Sequence, residues 1–324
     1  MTAANSTADK LTRQAAAPST DLNEIIDGLS RPQKTLSPKF FYDQRGSKLF
    51  DQITELEEYY PTRTELKIMD THNDEIVAAI GPRASLIEFG SGSSLKIRTL
   101  LKHLEDLAVY VPVEISEEFL VSAVTDLAAD FPDIEILPVA ADFTRKFDLP
   151  SPKIMPEKNV VYFPGSTIGN FRPDAAQSLL EVMRHEARDD GGLLIGVDLK
   201  KDKHILERAY DDSKGVTALF NLNMLVRLNR EFGTNFDIQQ FAHRAIYNEA
   251  LGRIEMHLVS RVKQEVTLED EVFKFNAGEY ILSECSHKYT TFEFAEMALR
   301  AGFKVTKVWV DEDELFSLQY CEAV

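Results

Sequence analysis

A short glycine-rich segment, Glu88-Phe-Gly-Ser-Gly92, separates an apolar run from an amphipathic pattern that is typical of a helix. Glycines at such a turn let backbone N–H groups approach a ligand closely, and a helix N-terminus attracts negative charge. Glu114 ends the next apolar run, roughly 20 residues further on, where an acidic side chain can bind a ribose diol. Taken alone, these residues favour an ordinary tight turn followed by a solvated glutamate.

Asp142-Phe143 follows a third apolar run and adds two further groups that suit a nucleoside. The carboxylate can accept a hydrogen bond from an adenine amino group, and the ring can stack on the base. In open α/β sheets, ligands bind beyond the carboxyl ends of the strands. Three such loops at one edge therefore predict a nucleoside-binding site.

The kind of cofactor follows from what the glycine segment contains and what it lacks. The third glycine of the dinucleotide pattern G-x-G-x-x-G is missing, which disfavours an NAD-dependent dehydrogenase. The acidic pattern E-x-G-x-G is instead usual in Rossmann-like methyltransferases. Their cofactor, S-adenosylmethionine (SAM), has no phosphate and carries a sulfonium cation that acidic surroundings tolerate. SAM is therefore the predicted cofactor, and NAD is the alternative.

Glu284 and Ser286 are two residues apart, so on a strand they share one face while Cys285 points away. A carboxylate and a hydroxyl on one face can accept from and donate to the two nitrogens of an imidazole. Leaving either nitrogen unpaired in a closed pocket costs on the order of 1–3 kcal/mol, which would reject phenylalanine or leucine. The alternative is a solvated strand face.

The elements that position these residues begin with five short apolar runs that alternate with helical patterns. The runs are Leu86–Phe89, Val109–Ile115, Ile134–Val139, Asn159–Phe163 and Gly192–Asp198. This alternation predicts an α/β fold with a parallel sheet whose strands are buried on both faces. A helix over Phe292–Arg300 and strands over Lys304–Val310 and Leu315–Cys321 complete a seven-stranded, mostly parallel sheet.

Residues 201–286 interrupt this rhythm with polar helices and with alternating segments such as Arg253–Thr267, which predict half-exposed antiparallel strands. We expect this insertion to join residues 22–63 in a second, smaller and discontinuous α+β lobe. The SAM-binding domain then comprises residues 64–200 and 287–324. The Ala-, Ser- and Thr-rich residues 1–21 are expected to form a flexible N-terminus.

Composition narrows the possible partners. The 324 residues carry a formal charge of −17, which argues against nucleic-acid binding because phosphate contacts need clustered Lys and Arg. No run approaches the ~18 apolar residues of a membrane span, and no signal peptide is visible. Neither the two cysteines nor the seven histidines show the spacing of metal ligands. We expect a cytoplasmic monomer with no metal, no membrane contact and no nucleic-acid partner.

Seven motifs are spread along most of the chain. They are Phe41-Tyr-Asp, Gly46-Ser-x-Leu-Phe-Asp51, Glu58-Tyr-Tyr-Pro-Thr-Arg-Thr-Glu65, Gly165-Ser-Thr-Ile-Gly-Asn170, Ala209-Tyr-Asp-Asp212, Ile254-Glu-Met256 and Glu284-x-Ser286. Together they resemble the histidine Nα-methyltransferases of ergothioneine biosynthesis. The resemblance implies a Rossmann-like class I methyltransferase domain with a smaller second lobe. It also implies successive transfer of three methyl groups from SAM to the α-amino group of L-histidine, which gives the betaine hercynine.

The same resemblance implies which residues bind each ligand. Those implied for SAM are Tyr42, Gly90, Ser91, Lys96, Glu114, Asp142 and Phe143, and those for histidine are Tyr59, Gly165, Thr167, Asn170, Tyr210, Met256, Glu284 and Ser286. Tyr59, Asn170 and Tyr210 are the implied catalytic residues. They can hold the amine without adding charge, and the two rings can face a growing ammonium through cation–π attraction. Without the resemblance, the tyrosines fit core anchors and Asn170 fits a turn.

Methyl transfer is an in-line displacement, so the protein's part is mainly to position an uncharged amine. No dedicated general base is visible, and we expect water to take the proton. Two other functions stay open. The chain could methylate another amino acid, such as a tryptophan derivative, although an indole offers one donor and no acceptor. It could also be a SAM-binding module without turnover, although the polar pocket residues are intact.

Overall fold

The computed structural model describes residues 11–13, 21–91 and 94–324. The chain forms two compact units. The first unit comprises Arg63–Leu199 and Tyr289–Val324, together with the short strand near the N-terminus. The second comprises the described residues of Pro18–Thr62 and the insertion Lys200–Lys288.

The described residues of the first unit form one sheet, whose strands are numbered along the whole chain. They are β1 (Thr12–Arg13), β2 (Ala84–Phe89), β3 (Leu107–Glu114), β4 (Val139–Ala140), β5 (Lys158–Phe163), β6 (Gly192–Asp198), β12 (Phe303–Val310) and β13 (Phe316–Ala323). Their order is β1-β4-β3-β2-β5-β6-β13-β12. Strand β13 is antiparallel to both β6 and β12, and the other neighbours are parallel.

The α/β class and all seven predicted strands are confirmed, with two corrections. The sheet has an eighth strand, because Thr12 and Arg13 pair with Val139 and Ala140. This strand lies in the segment predicted to be flexible, of which residues 1–10 and 14–20 fall outside the described residues. Strand β4 shares only Val139 with the predicted strand Ile134–Val139. Before it, Ile136 forms an isolated bridge with Tyr110, and Pro138 has no N–H to donate to a ladder.

Helices cover both faces of this sheet. They are α3 (Tyr60–Thr71), α4 (Asn73–Ile80), α5 (Ser94–Leu101), α6 (Glu117–Asp130), α7 (Pro173–Ala187) and α10 (Thr291–Arg300). Leu86 faces the core beneath α3 to α6, whereas its neighbour Ile87 faces the core beneath α7 and α10. Burial on both faces explains why the strands are almost continuously apolar.

The second unit combines helices with small antiparallel sheets, as predicted for an α+β lobe. Its helices are α1 (Asp21–Ser30), α2 (Gln44–Thr54), α8 (Lys203–Tyr210) and α9 (Val216–Phe232), and its strands are β7 (Phe241–Asn248), β8 (Arg253–Ser260), β9 (Gln264–Leu268), β10 (Glu271–Phe275) and β11 (Tyr280–His287). One sheet has the order β11-β8-β7, and β9 pairs with β10. The predicted segment Arg253–Thr267 is two strands, β8 and β9, and β7 was not predicted. No helix in the described ranges is both long and apolar enough to cross a membrane.

Candidate active site

The carboxyl ends of β2, β3 and β4 bring the loops that carry five of the predicted cofactor residues to one edge of the first unit's sheet. Phe89 pairs with Val113, and Glu114 pairs with Ala140, so the loops that follow are adjacent. Gly90 has a φ of +74°, which a glycine adopts without strain. A Cβ at this position would lie 3.5 Å from the Phe143 ring, so the missing side chain leaves room between the turn and that ring.

Glu114 is held by its own loop. One carboxylate oxygen accepts hydrogen bonds from the backbone N–H groups of Ile115, at 2.9 Å, and Ser116, at 3.3 Å. Burial raises the pKa of Glu114, and these two backbone hydrogen bonds oppose the rise. No hydrogen bond to the other oxygen exists within the described residues, so that oxygen can accept from a ligand hydroxyl.

Asp142 and Phe143 are fixed in different ways. One oxygen of Asp142 accepts from the backbone N–H of Thr144 at 3.0 Å and from its hydroxyl at 2.6 Å, which makes a local turn. Phe143 is half-buried, and its ring centroid lies 5.6 Å from that of Phe89 and 6.0 Å from that of Phe163. The ring is therefore anchored on the core while part of it stays accessible for stacking.

The glycine loop contains a buried polar atom that lacks a partner. The hydroxyl of Ser91 is buried and makes no hydrogen bond in the part of the chain that the structure describes. Nearby, Tyr110 donates a hydrogen bond to Glu88, and burial raises the pKa of that carboxyl group to about 8. Glu88 is fully enclosed and faces Tyr110, so it supports the loop from below. Gly92, the second glycine of the predicted motif, lies outside the described residues.

An ion pair that sequence reasoning missed holds the loop after β5. Glu65 is fully buried and accepts from Lys96 at 2.6 Å. Its oxygens also accept from the backbone N–H of Gly165, at 3.0 and 3.2 Å. The predicted cofactor residue Lys96 is thus tied to the predicted substrate residue Gly165 through Glu65. The motif that ends in Glu65 was recognised, but its partners are distant in sequence.

The segment from Gly165 to Asn170 is shaped by its own hydrogen bonds. Ser166 has a φ of +56°, and its hydroxyl accepts from the backbone N–H of Asp198 at 2.9 Å. The hydroxyl of Thr167 donates to the carbonyl of Pro164 at 2.8 Å. The half-buried amide of Asn170 makes no hydrogen bond within the described ranges, which leaves both its donor and its acceptor for a ligand.

In the second unit, β11 and β8 place the predicted imidazole-binding residues together. After an irregularity between Leu282 and Glu284, Glu284 pairs with Met256 and Ser286 pairs with Ile254. Paired residues of an antiparallel ladder share a face, so Glu284, Ser286 and Met256 are neighbours. Glu284 keeps some accessible surface but lies deep, and desolvation raises its pKa to about 7, while Lys288 acts in the opposite direction.

Ser286 belongs to a hydrogen-bonded cluster of three side chains, the others being Tyr210 and Lys288. The ammonium of Lys288 donates to the Ser286 hydroxyl at 2.8 Å and to the Tyr210 hydroxyl at 3.0 Å. Tyr210 in turn donates to Ser286 at 2.9 Å. Lys288 is only 2% exposed. Sequence reasoning missed Lys288, which follows Ser286 by two residues and lies just beyond the end of β11.

Beneath this cluster, a neutral histidine holds Tyr210. His243 donates from Nε2 to the Tyr210 carbonyl at 2.8 Å, and its Nδ1 accepts from the amide of Asn221 at 2.8 Å. Burial lowers the pKa of His243, with Asp211 opposing. The oxygen of Asn221 accepts from Ser283 at 2.7 Å. These contacts fix α8, α9 and β11 relative to each other.

Tyr59 and Tyr42 belong to an aromatic row in the second unit. The Tyr59 ring lies 6.3 Å from that of Tyr210 and 6.3 Å from that of Phe50, both in edge-on contacts. Tyr42 lies 5.8 Å from Phe50 and is 47% exposed. The predicted catalytic tyrosines are therefore neighbours. Their roles, like those of the other predicted site residues, remain predictions.

The strand order, with β13 antiparallel between β6 and β12, and the polar groups at the carboxyl edge define a Rossmann-like methyltransferase. The family model described as histidine-specific, SAM-dependent methyltransferase matches residues 21–323. The chain belongs to this family.

Curated relatives agree with this assignment. The histidine N-alpha-methyltransferase of Mycolicibacterium smegmatis is 40% identical, with 98% of this chain and 96% of the relative covered. That of Mycobacterium tuberculosis is 38% identical over 91% and 92%. A 4-dimethylallyltryptophan N-methyltransferase of Claviceps purpurea is 27% identical over 89% and 91%. Among solved structures, a SAM-dependent methyltransferase from Clostridium acetobutylicum has a TM-score of 0.49 and 9% identity, covering 85% of this chain and 98% of that one.

The residues present fit SAM. A Cβ at Gly90 would touch the Phe143 ring at van der Waals distance and fill the space in front of it, the Ser91 hydroxyl is buried without a partner in the described residues, and one oxygen of Glu114 accepts no hydrogen bond there. These features suit a ligand with a base, a ribose and no phosphate. No group of three potential metal ligands occurs in the described part of the chain.

Proposed function

We propose that this protein transfers methyl groups from SAM to the α-amino group of L-histidine, three in succession, and so produces hercynine for ergothioneine biosynthesis. The observation that carries the proposal is that Glu284 and Ser286 lie on one face of β11, with Met256 paired to Glu284 on the neighbouring strand. The family assignment and the relatives from two mycobacteria support the same substrate.

Recognition of the imidazole follows from the chemistry of these two side chains. Glu284 accepts from the ring N–H, and Ser286 donates to the other nitrogen, so both ring nitrogens are paired. An aliphatic or phenyl side chain would leave these groups unsatisfied, at a cost of about 1–3 kcal/mol each. Met256 is buried opposite Glu284 and supplies an adaptable apolar wall for the ring.

The first unit is proposed to hold the methyl donor. SAM supplies an electrophilic methyl group on a sulfonium centre. Glu114 binds the ribose hydroxyls, Asp142 and Phe143 bind the adenine, and Ser91 and Gly90 line the turn. Lys96, already paired with Glu65, keeps further donors for the amino-acid end of SAM.

The amine is proposed to be aligned by uncharged groups. Asn170 presents a neutral amide, and Tyr59 and Tyr210 present aromatic faces that attract the cation as methyl groups accumulate. Gly165 and Thr167 line the same segment. No general base is assigned, and water takes the proton before attack. The contribution of the protein is orientation and exclusion of solvent, which together can supply much of the rate enhancement.

The assay for this proposal incubates the protein with SAM and each amino acid in turn and follows mass gains. Histidine should gain up to three methyl groups, and the mono- and dimethyl forms should be substrates. Preferential methylation of tryptophan derivatives would instead assign to this chain the activity for which the Claviceps relative is named. Consumption of no amino acid would favour a SAM-binding module without turnover.

We further propose that the protein is a cytoplasmic monomer with no nucleic-acid or membrane partner. The net charge of −17 supports the absence of a nucleic-acid partner, since like charges repel. Light scattering after size exclusion measures the oligomeric state, and a dimer mass would contradict the proposal.

A further inference from the structure

Lys288 is a buried cation at the centre of the proposed imidazole site, and neither the sequence motifs nor the family assignment gives it a role. Its ammonium touches two oxygens, those of Ser286 and Tyr210. A primary ammonium has three donors and no acceptor. Both oxygens must therefore accept from it, and neither hydroxyl proton can point towards it.

Ser286 is constrained further by Tyr210. The Tyr210 hydroxyl donates to the same serine oxygen that accepts from Lys288. A hydroxyl has one proton and two acceptor lone pairs. Two donors occupy both lone pairs of Ser286, so its own proton remains the only group that it can offer a ligand.

We infer that Lys288 is a specificity-determining residue that fixes Ser286 as a hydrogen-bond donor, so that the site selects a ring with one N–H and one unprotonated nitrogen. This inference rests on the proposed histidine specificity. Glu284 can only accept when ionised, and Ser286 can only donate, so together they match the neutral imidazole. A ring with a C–H in place of the acceptor nitrogen leaves the serine proton unpaired and enclosed.

The experiment compares L-histidine with pyrrol-2-ylalanine and pyrrol-3-ylalanine, which keep one N–H and replace the other nitrogen with C–H. The readout is the ratio of kcat/KM for histidine to that for the better pyrrole, with SAM as donor. The wild-type protein should prefer histidine by on the order of tenfold or more, the factor that corresponds to one unpaired buried donor.

Lys288→Met should lower this preference by roughly tenfold, because the Ser286 proton can then turn towards the Tyr210 oxygen. Histidine and the pyrrole analogues all present an N–H to Glu284. Loss of the Lys288 charge beside Glu284 therefore affects them equally and cancels in the ratio of kcat/KM values, as does a general loss of protein stability. Lys288→Gln keeps an amide donor and should retain most of the preference. The matched control, Lys34→Met, removes another largely buried lysine of the second unit, paired with Glu279, and should keep the wild-type ratio.

Ser286→Ala tests the same hydrogen bond while Lys288 stays unchanged. This variant should abolish the preference for histidine over the pyrrole analogues. Combining it with Lys288→Met should produce no further loss, because both changes remove one interaction. An unchanged ratio in either single variant overturns the inference while leaving histidine methylation intact. Failure of the wild-type protein to methylate histidine overturns the proposed function and, with it, this inference.

Discussion

Glu284 shows how the surroundings of one side chain decide what it can do. Desolvation raises its pKa to about 7, and the nearby Lys288 limits that rise. The carboxyl group of Glu284 therefore loses its proton close to neutral pH, and once ionised it can accept a charge-assisted hydrogen bond from the ring N–H of the proposed substrate.

Replacement of this carboxyl group should separate the binding of the two ligands. Glu284→Ala is expected to weaken histidine binding by on the order of tenfold to a hundredfold, because a ring N–H loses a charged acceptor. SAM affinity should change little. Calorimetric titration of each ligand measures both effects. Glu265→Ala, an exposed change on β9, is the control. Equal losses of both affinities would count against the assignment of Glu284 to the substrate.

The reciprocal result is expected at Glu114. Glu114→Ala should weaken SAM by on the order of tenfold or more while histidine affinity stays close to the wild-type value, because the oxygen proposed for the ribose is lost. The same calorimetric comparison tests this, with the exposed Glu118→Ala on α6 as control. If SAM binds the variant as tightly as the wild type, the ribose-binding role is wrong.

The sequence could reveal residues whose role depends on local spacing, but not those whose role depends on distant partners. The spacing of Glu284 and Ser286 correctly predicts a shared strand face. Lys288 acquires its significance from Tyr210, which belongs to α8, and Glu65 from Lys96 on α5. No local sequence pattern predicts such contacts, because the two partners are far apart in the sequence and each alone is an ordinary polar or charged residue.

At the scale of elements, the strands of the first unit were predictable because burial on both faces makes them continuously apolar. Strand β7 was not, because its burial pattern is irregular and its consecutive His243 and Arg244 break the alternation. Both side chains are satisfied by partners elsewhere, His243 by Asn221 and Arg244 by His257. Tertiary hydrogen bonds thus permit a strand that the local pattern disfavours.

The loop after β5 depends on the element that carries Glu65, which leads to a prediction about stability. Glu65→Gln should lower the free energy of unfolding by about 3 kcal/mol, because it leaves Lys96 largely buried without its carboxylate. The double variant Glu65→Gln with Lys96→Met should be destabilised less than the sum of the two single changes. Denaturant unfolding of all four proteins measures this. Additive losses would mean that the pair does not act as a unit.

At the scale of the whole molecule, the division into two discontinuous units follows the order of elements along the chain. The first unit resumes at Tyr289 after the insertion Lys200–Lys288, which the change from apolar runs to alternating residues marks. The strand boundaries inside the insertion were harder to predict from the sequence. The segment Arg253–Thr267 is divided into two strands by a short loop that no local sequence pattern marks.

Buried titratable groups make the stability of the folded protein depend on pH in two opposite ways. Burial lowers the pKa of His243 and of His257, so the unfolded chain binds more protons below about pH 6.5, and stability falls as the pH is lowered there. Burial raises the pKa of Glu88 to about 8 and that of Glu186 to about 7. These carboxyl groups keep protons that the unfolded chain loses above its ordinary pKa, so they lower stability as the pH rises.

Above pH ~6.5 the histidine contribution to this pH dependence fades, and buried carboxyl groups with raised pKa values lower the stability as the pH rises. The pKa of Glu88 rises further than that of Glu186, and its proton is retained in the fold until about pH 8. Glu88→Gln keeps a partner for Tyr110 but cannot ionise. Its free energy of unfolding should therefore fall less than that of the wild type between pH 6.5 and 8.5, by on the order of a few kcal/mol.

Denaturant unfolding at a series of pH values measures the difference, and the exposed Glu118→Gln should follow the wild-type curve. Parallel curves for Glu88→Gln and the wild type would show that Glu88 is already ionised in the folded protein at neutral pH, contrary to its buried position beneath the glycine loop.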